Sequence, residues 1–333
     1  MVSTGGNFVI SLDFEIKWGV RIIDQKALDS YKQNLLGVQQ VIPKTLEIFN
    51  RFGIKGTFAI VGFLFFETKE ELLNHLPENQ PQYRNPTMSP YGAYIEVELG
   101  SSQKDDPYHF APHLIEMIRQ APGQEIGTHT FSHYFCLEEG QTIDSFSDDI
   151  KAAIAVAGKY GLKTTSIIFP RNQFNESYLQ VCADLGIITY RNNEHSWLYA
   201  PRNSEEETLF RRSLRLVDSY LNITGHHCYN NDYMSASTPV NIPSSRFLRP
   251  YPAKLKTLEW LRLRRIKRGM THAAKNGLTY HLWWHPHNFG INQRENFSFL
   301  EAILDHYKDL EKKYGFTSIT MTDLAKQLLN HGT

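Results

Sequence analysis

Short apolar segments of strand length alternate with longer amphipathic ones along almost the whole chain, and this alternation restricts the fold more than any other feature. NFVISLDF is followed by a helical pattern from Tyr31 to Phe52, then by KGTFAIVG and a helical turn from Glu70 to Leu73. After a loop the series resumes with EIGTHTF, a helix from Ile143 to Tyr160, TTSIIFP, a helix from Glu176 to Leu185, and GIITYR. LTYHLWWH, a helix from Phe297 to Tyr314 and TSITM complete it. Strands that each feed a helix before the next strand predict α/β architecture, with a parallel sheet and helices outside it, open or closed into a barrel. At 333 residues, 41% of them hydrophobic, the chain can bury one large core, and no linker separates independent domains. The expectation is a single domain over residues 1–333 with two insertions. The first, near 74–107, is rich in Pro, Asn and Gln, and a connection that long is either functional, as a lid, or disordered. The second, near 200–254, mixes a helix or strand pair with SASTPVNIPSSRF, whose Pro and Ser content implies loop.

Lys plus Arg and Asp plus Glu both number 35, so no global charge argues for nucleic acid as a partner. The start, MVSTGGNFVI, has neither the basic residues nor the apolar run of a signal peptide, and no segment approaches twenty apolar residues. The reading is a soluble, cytoplasmic protein. Cys136, Cys182 and Cys228 are odd in number and widely spaced, which suits reduced thiols. The Asn-x-Ser/Thr triplets at Asn175, Asn222 and Asn296 then carry no glycosylation message.

The chemistry is concentrated where predicted strands end. In FVISLDFEIKWGVR, Asp13 and Glu15 are two apart and share a face of the extended chain, where two carboxylates repel unless a cation serves them. EIGTHTFSHYF supplies His129 and His133, which lie on one face if the segment takes a helical turn. Both sets sit past the C-terminal ends of predicted parallel strands, the rim where α/β sheets and barrels carry their functional groups. Two His and one carboxylate form an open catalytic metal set with room for water and substrate. IIFPRNQF places Arg171 at the same rim, where a guanidinium orients a carboxylate and lowers its pKa. LTYHLWWHPHNFG contributes His281 inside its strand, and His285 and His287 at the end; a His there is a candidate general acid.

SLDFE, HTFSH, FPRN and WWHPH, in that order, resemble the signature blocks of the polysaccharide deacetylases, carbohydrate esterase family 4, and in particular a cytoplasmic branch associated with surface-glycan synthesis. The resemblance implies a distorted (β/α) barrel of about seven parallel strands, a divalent metal held by one carboxylate and two His, and hydrolysis of an N-acyl group on an amino sugar. Residue by residue it puts the metal His pair on His129 and His133, the base-orienting Arg on Arg171 and the late acid His on His285, with His287 as the other candidate. The usual first block has two adjacent aspartates; here Phe14 separates Asp13 from Glu15, and order assigns Asp13 as base and Glu15 as metal ligand, with exchange of the two roles open. Pro170 precedes the Arg instead of following it, and Glu194 and Trp197 are the candidates for the family's further acid and Trp.

Zn is the first expectation for the metal, with Co, Ni or Mn as alternatives. The implied substrate is an N-acetyl or N-formyl amino sugar, nucleotide- or polyprenyl-linked, in surface polysaccharide (O-antigen or lipopolysaccharide) biosynthesis. Competing readings are another amide hydrolase of the same fold, a deformylase or ureide hydrolase, or an inactive carbohydrate-binding homologue. Tyr83, Tyr91 and Tyr94 are available as sugar-stacking aromatics. Residues 255–275 carry Arg262, Arg264, Arg265, Lys267 and Arg268, either a solvated basic face or a docking surface for a diphosphate at the inner membrane face. His226, His227 and Cys228 resemble a metal cluster, but adjacent residues seldom chelate one ion.

Overall fold

The structure, a computed structural model, describes residues 5–23, 25–203 and 206–331. The start Met1–Thr4, part of the segment read above as lacking a signal peptide, lies outside the described residues. Among the described residues nine strands are assigned: β1 (Asn7–Phe14), β2 (Gly56–Ile60), β3 (Glu125–Thr128), β4 (Ser166–Ile168), β5 (Thr189–Arg191), β6 (Val240–Asn241), β7 (Arg246–Phe247), β8 (Thr279–Trp284) and β9 (Thr317–Ser318). They form one sheet in the order β6-β5-β4-β3-β2-β1-β8-β7, with β9 beside β1, and every pairing is parallel. This is the expected α/β barrel architecture.

The two ends of that order are neighbours in the chain. Ile242 N–H donates to Tyr190 O at 2.9 Å and Ser244 N–H to Asn192 O at 2.9 Å on one side. On the other, Ser245 N–H donates to His281 O at 2.8 Å and Leu248 N–H to Trp283 O at 2.7 Å. One strip therefore changes partner from β5 to β8 and closes the sheet, leaving seven staves around the interior. This corrects the reading of SASTPVNIPSSRF as loop: its Pro-rich composition hides a strip too short and irregular to show a strand period.

β1 explains why its segment reads as apolar and still ends in acids. Phe8, Ile10, Leu12 and Phe14 face outward into the main core against Leu35, Val38 and Ile42 of the helix Gln25–Phe52. Val9 faces inward, in a smaller cluster with Ala59, Ile168, Val240 and Ile242. With a period of two, the inward series continues through Ser11 and Asp13, and Glu15 follows just past the strand. The barrel interior is thus apolar at the strand starts and charged at the strand ends.

Other boundaries differ modestly from expectation. The first long helix begins at Gln25, not Tyr31, and the late one at Gln293, not Phe297. TSITM gives only Thr317–Ser318 as strand, because Met321 already opens a helix running to His331. The 74–107 segment holds a 3-10 turn at Pro86–Met88 and a helix at Ala93–Glu98.

The closing strip is held by a buried ion pair. Asp218, on the helix Leu209–Tyr220, receives Arg246 Nη1 at 2.5 Å, Tyr199 Oη at 2.8 Å, Thr224 N–H at 2.9 Å and Ile223 N–H at 3.0 Å. Burial alone raises a carboxyl pKa, but Arg246 and these donors hold Asp218 far below the usual carboxylate range. Removing one partner of a buried pair strands the other charge. Asp218→Ala is therefore expected to lower stability by about 3–5 kcal/mol, measured by urea denaturation at pH 7. The loss should shrink as pH falls through the depressed carboxyl pKa, where the wild-type pair is itself lost. A change under ~1 kcal/mol at pH 7 would show that the strip does not depend on this pair.

Candidate active site

Glu15 is the centre of the site. Its carboxylate is 5% exposed, and Oε2 lies 3.2 Å from His129 Nε2 and 2.8 Å from His133 Nε2. Space for the carboxylate depends on Gly19, in the short helix Lys17–Val20: a Cβ there would come within 2.0 Å of the Glu15 carboxyl carbon.

His129 and His133 do not share a helical turn, which corrects that part of the sequence reading. The loop after β3 turns through positive φ at Thr130 (63°) and His133 (58°), and the buried Asp149 organises it by accepting from Phe131 N–H at 2.7 Å and Ser132 N–H at 3.1 Å. Burial pushes the Asp149 carboxyl up to about 6 against these donors. The spacing brings both rings to Glu15 by loop geometry instead.

The hydrogen bonds assign the tautomers. His129 Nδ1–H donates to Ile168 O at 2.8 Å, so in the neutral ring the Nε2 lone pair faces Glu15 Oε2. Two acceptors at 3.2 Å repel unless a proton or a metal cation lies between them. His133 differs: Arg21 Nη1 donates to its Nδ1 at 3.1 Å, leaving the ring proton on Nε2 toward Glu15. Burial holds that ring neutral, at about 3, despite the adjacent carboxylate. The residues fit a divalent ion, since Glu15, His129 and His133 offer donor atoms all within 4.8 Å of one another. Ligation through His133 Nε2 requires the Arg21 hydrogen bond to give way.

Asp13 is gripped by Arg191, not Arg171. Arg191 Nη1 meets Oδ1 and Nη2 meets Oδ2, both at 2.7 Å, and the guanidinium lies 4.1 Å from the Trp283 ring centroid. Further bonds to Ser11 Oγ and Asn172 Oδ1, both 2.9 Å, fix its plane. Burial works to raise the Asp13 pKa, but the Arg191 charge and then His129 outweigh it and hold it low. Arg171 lines the same cavity yet turns to Glu138 at 3.9 Å and over the Phe135 ring. The expected orientation of the base by Arg171 is thereby corrected. Its substitute is the last residue of GIITYR, a charged side chain ending a strand at the same rim.

His285 Nε2 is 3.5 Å from Glu15 Oε1 and 3.8 Å from Asp13 Oδ2, with its side chain 23% exposed to the cavity. His287 is nearly buried, with Nε2 4.0 Å from Glu15 Oε1. His281 is buried inside β8 as expected, meeting Ser11 Oγ at 2.8 Å.

A cavity of about 540 Å3 opens over these groups. Tyr31, Tyr199, Phe247 and Trp283 are its aromatic walls, and Arg202, Arg212, Arg215 and Arg249 lie along it. Glu194 also lines it, its pKa raised by burial, whereas Trp197 is 60% exposed beneath Arg211 and is not part of the lining. Tyr83, Tyr91 and Tyr94 border a separate cavity with Arg21 and Lys17, so they are not platforms over Glu15.

On the helix Glu259–Asn276, Arg262 and Arg265 are buried: the first pairs with Glu259 and stacks on Phe299, the second binds Gly225 O and His226 Nδ1. The solvated basic face and the diphosphate dock both lose these two cations. His226, His227 and Cys228 turn to different partners, Arg265, Thr224 and the Gly269 carbonyl, and form no donor triad among the described residues. All three cysteines are free thiols, and no described helix is long and apolar enough to cross a membrane.

Fold and donor set together define a parallel (β/α) barrel with a His/His/carboxylate centre at the strand ends. The sequence model of the polysaccharide deacetylase family matches residues 29–190, just under half the chain, and supports a place in that family. The matched stretch contains His129, His133 and Arg171; Asp13, Glu15, Arg191 and His285 fall outside it. No curated protein matches the chain in sequence. Solved structures share the fold at low identity. A proposed polysaccharide deacetylase from Mycobacterium smegmatis is 14% identical, covers 99% of this chain and 92% of its own, and gives a TM-score of 0.57. One from Pseudomonas aeruginosa PAO1, also a proposed polysaccharide deacetylase, is 10% identical over 97% and 90%, with a TM-score of 0.54. The Puue allantoinase is 9% identical over 97% and 89%, with a TM-score of 0.51.

Gly19→Ala tests the geometry at Glu15. Alanine suits a helix better than glycine, so any loss comes from the displaced carboxylate. Affinity for a divalent ion is expected to fall about 10- to 100-fold in a calorimetric titration, with the circular dichroism spectrum unchanged. Equal affinity in the variant would show that the carboxylate has another place to sit.

Proposed function

We propose that the protein hydrolyses an N-acyl group, acetyl or formyl, from an amino sugar, using a divalent metal held by Glu15, His129 and His133. Zn is the first choice for nitrogen and oxygen donors, with Co, Ni and Mn as alternatives. One observation carries the reading: a bare lone-pair face, Glu15 Oε2 against His129 Nε2, sits in the same cavity as an Arg-held carboxylate and a partly exposed His.

In this reading an ion bound there supplies a water of lowered pKa, from about 15.7 towards ~7, and polarises the acyl carbonyl. Asp13, kept ionised and oriented by Arg191, accepts the water proton. His285, which faces both carboxylates, gives a proton to the leaving amine. Water adds across the amide C–N bond, releasing a carboxylic acid and the free amino sugar. Tyr31, Tyr199, Phe247 and Trp283 offer ring faces to the sugar. The carrier, a nucleotide or polyprenyl phosphate of a surface-polysaccharide route in the cytoplasm, finds its cationic partner in Arg202, Arg212, Arg215 and Arg249 rather than in the buried arginines of the late helix.

Screening N-acetyl and N-formyl nucleotide sugars for released acid tests the substrate class. Asp13→Asn is expected to retain metal and lose turnover by roughly 10²- to 10⁴-fold, while Glu15→Gln loses metal affinity. Metal retained by Glu15→Gln and lost by Asp13→Asn would exchange the two roles. Removal of acyl groups from no amide, with metal bound, would favour an inactive carbohydrate-binding homologue, and turnover of a cyclic ureide alone would move the protein to that class.

Arg191→Met gives a signed test. Without the guanidinium the Asp13 pKa rises, so on acidification activity is lost at a higher pH than in wild type. Arg171→Met should leave that acidic limb in place. If the Arg171 variant shifts it and the Arg191 variant does not, Asp13 is not the group that titrates.

A further inference from the structure

Both oxygens of Glu15 face a pair of imidazoles, but the mechanism uses only one pair as ligands. Oε2 has His129 and His133; Oε1 has His285 at 3.5 Å and His287 at 4.0 Å. Glu15, His285 and His287 form a second set whose donor atoms lie within 4.8 Å of one another. Donors on one tetrahedral ion, each about 2.0–2.1 Å from it, stand roughly 3.3 Å apart. The separations on the Oε1 side, 3.5 and 4.0 Å, both exceed that value, so an ion can enter with an inward movement of the rings. His287 is 3% exposed, so its ring is held in place with Nε2 on the Glu15 side. The Asn288 amide nitrogen lies 3.3 Å from His285 Nδ1, with its oxygen taken by Tyr31 Oη at 2.7 Å, so ligation through His285 Nε2 requires that amide to turn its oxygen toward Nδ1–H.

We propose that Glu15 Oε1, His285 and His287 form a second, weaker divalent-cation site, and that filling it withdraws His285 from proton donation, so that excess metal inhibits the enzyme. The proposal rests on the reading of Glu15, His129 and His133 as the first metal site. Charge sets the order of filling. Two divalent ions bring four positive charges beside Arg21 and Arg191, against the two carboxylates Asp13 and Glu15 nearest them, and a bridging carboxylate in two-metal centres holds its ions about 3.5–4 Å apart. The second ion therefore binds less tightly than the first and gains from an anionic co-ligand such as hydroxide or acetate. His285 ligating through Nε2 has no proton there to give.

The test is a titration of metal-free protein with Zn, read by calorimetry and by metal analysis after equilibrium dialysis, with and without acetate. Two binding events are expected, the second weaker by about tenfold or more, with turnover rising through the first and falling through the second. His287→Phe, which fills the same space with no donor, should abolish the second event and the inhibition while keeping one equivalent bound. Manganese in place of Zn adds a spectroscopic signature, an exchange-coupled pair in wild type and an isolated ion in His287→Phe. A single equivalent at saturating Zn in wild type, or inhibition that persists in His287→Phe, overturns the second site and leaves the first standing. No binding to wild type at all removes the first site and the proposed function together.

Discussion

Asp13 and Arg191 meet across the barrel interior, from β1 to β5, with both partners almost wholly out of water. A buried ion pair repays its desolvation only when its geometry is close and its remaining donors are used. Here the guanidinium uses both terminal nitrogens on the carboxylate, then Ser11, Asn172 and the Trp283 face. Ser11 in turn accepts from Arg191 and meets His281 from β8. β1, β5 and β8 are therefore tied through one polar network at mid-barrel. Above that layer the interior is charged and opens to the cavity; below it Val9, Ile168 and Ile242 pack as core. The position of the site follows from this division, because Glu15 lies just beyond it on the same strand face.

Much of this could be read from the sequence where period and residue type agree. β1 shows its two faces in FVISLDFE, since the outward Phe, Ile and Leu positions and the inward acids occupy alternate places. His129 and His285 were recognisable because each directly follows a strand segment, and His133 because it lies four residues beyond His129. Arg191 was overlooked, since a guanidinium ending GIITYR looks no different from a surface arginine until the partner across the barrel is known. The closing strip failed for another reason: Val240–Asn241 and Arg246–Phe247 are too short to carry a period, and only the two sheet edges define them. Arg262 and Arg265 misled in the opposite direction. A run of arginines among leucines suggests a solvated face, but Arg262 covers Phe299 and Arg265 binds the Gly225 carbonyl of the neighbouring loop.

His133 shows how the protein balances this centre when only protein groups surround Glu15. Arg21 also donates to Trp18 O and Met88 O at 2.7 Å, so the segment after β1 and the first insertion are joined behind the imidazole. The insertion serves as a structural brace for the ring rather than a lid over the cavity. Its Tyr83 hydroxyl accepts from Phe135 N–H at 2.8 Å, fixing the HTFSHYF loop from the other side.

The charge distribution along the cavity then has a direction. Its floor holds Asp13 and Glu15, while Arg202, Arg212, Arg215 and Arg249 lie toward the 200–254 segment. Glu207 is shared by Arg212 and Arg215, and Arg249 has only the Phe247 ring as a charge partner among the described residues. Arg215 and Arg262 both lower the Arg249 pKa after burial does, so these guanidiniums repel one another in a space with too few acids. Like charges gathered along one wall repel unless an anion relieves them, and an isolated sugar amide brings none. A substrate that places its amide over Glu15 and a phosphate among these arginines would satisfy both ends at once. The same asymmetry would orient such a substrate, since a phosphate at the floor would face two carboxylates.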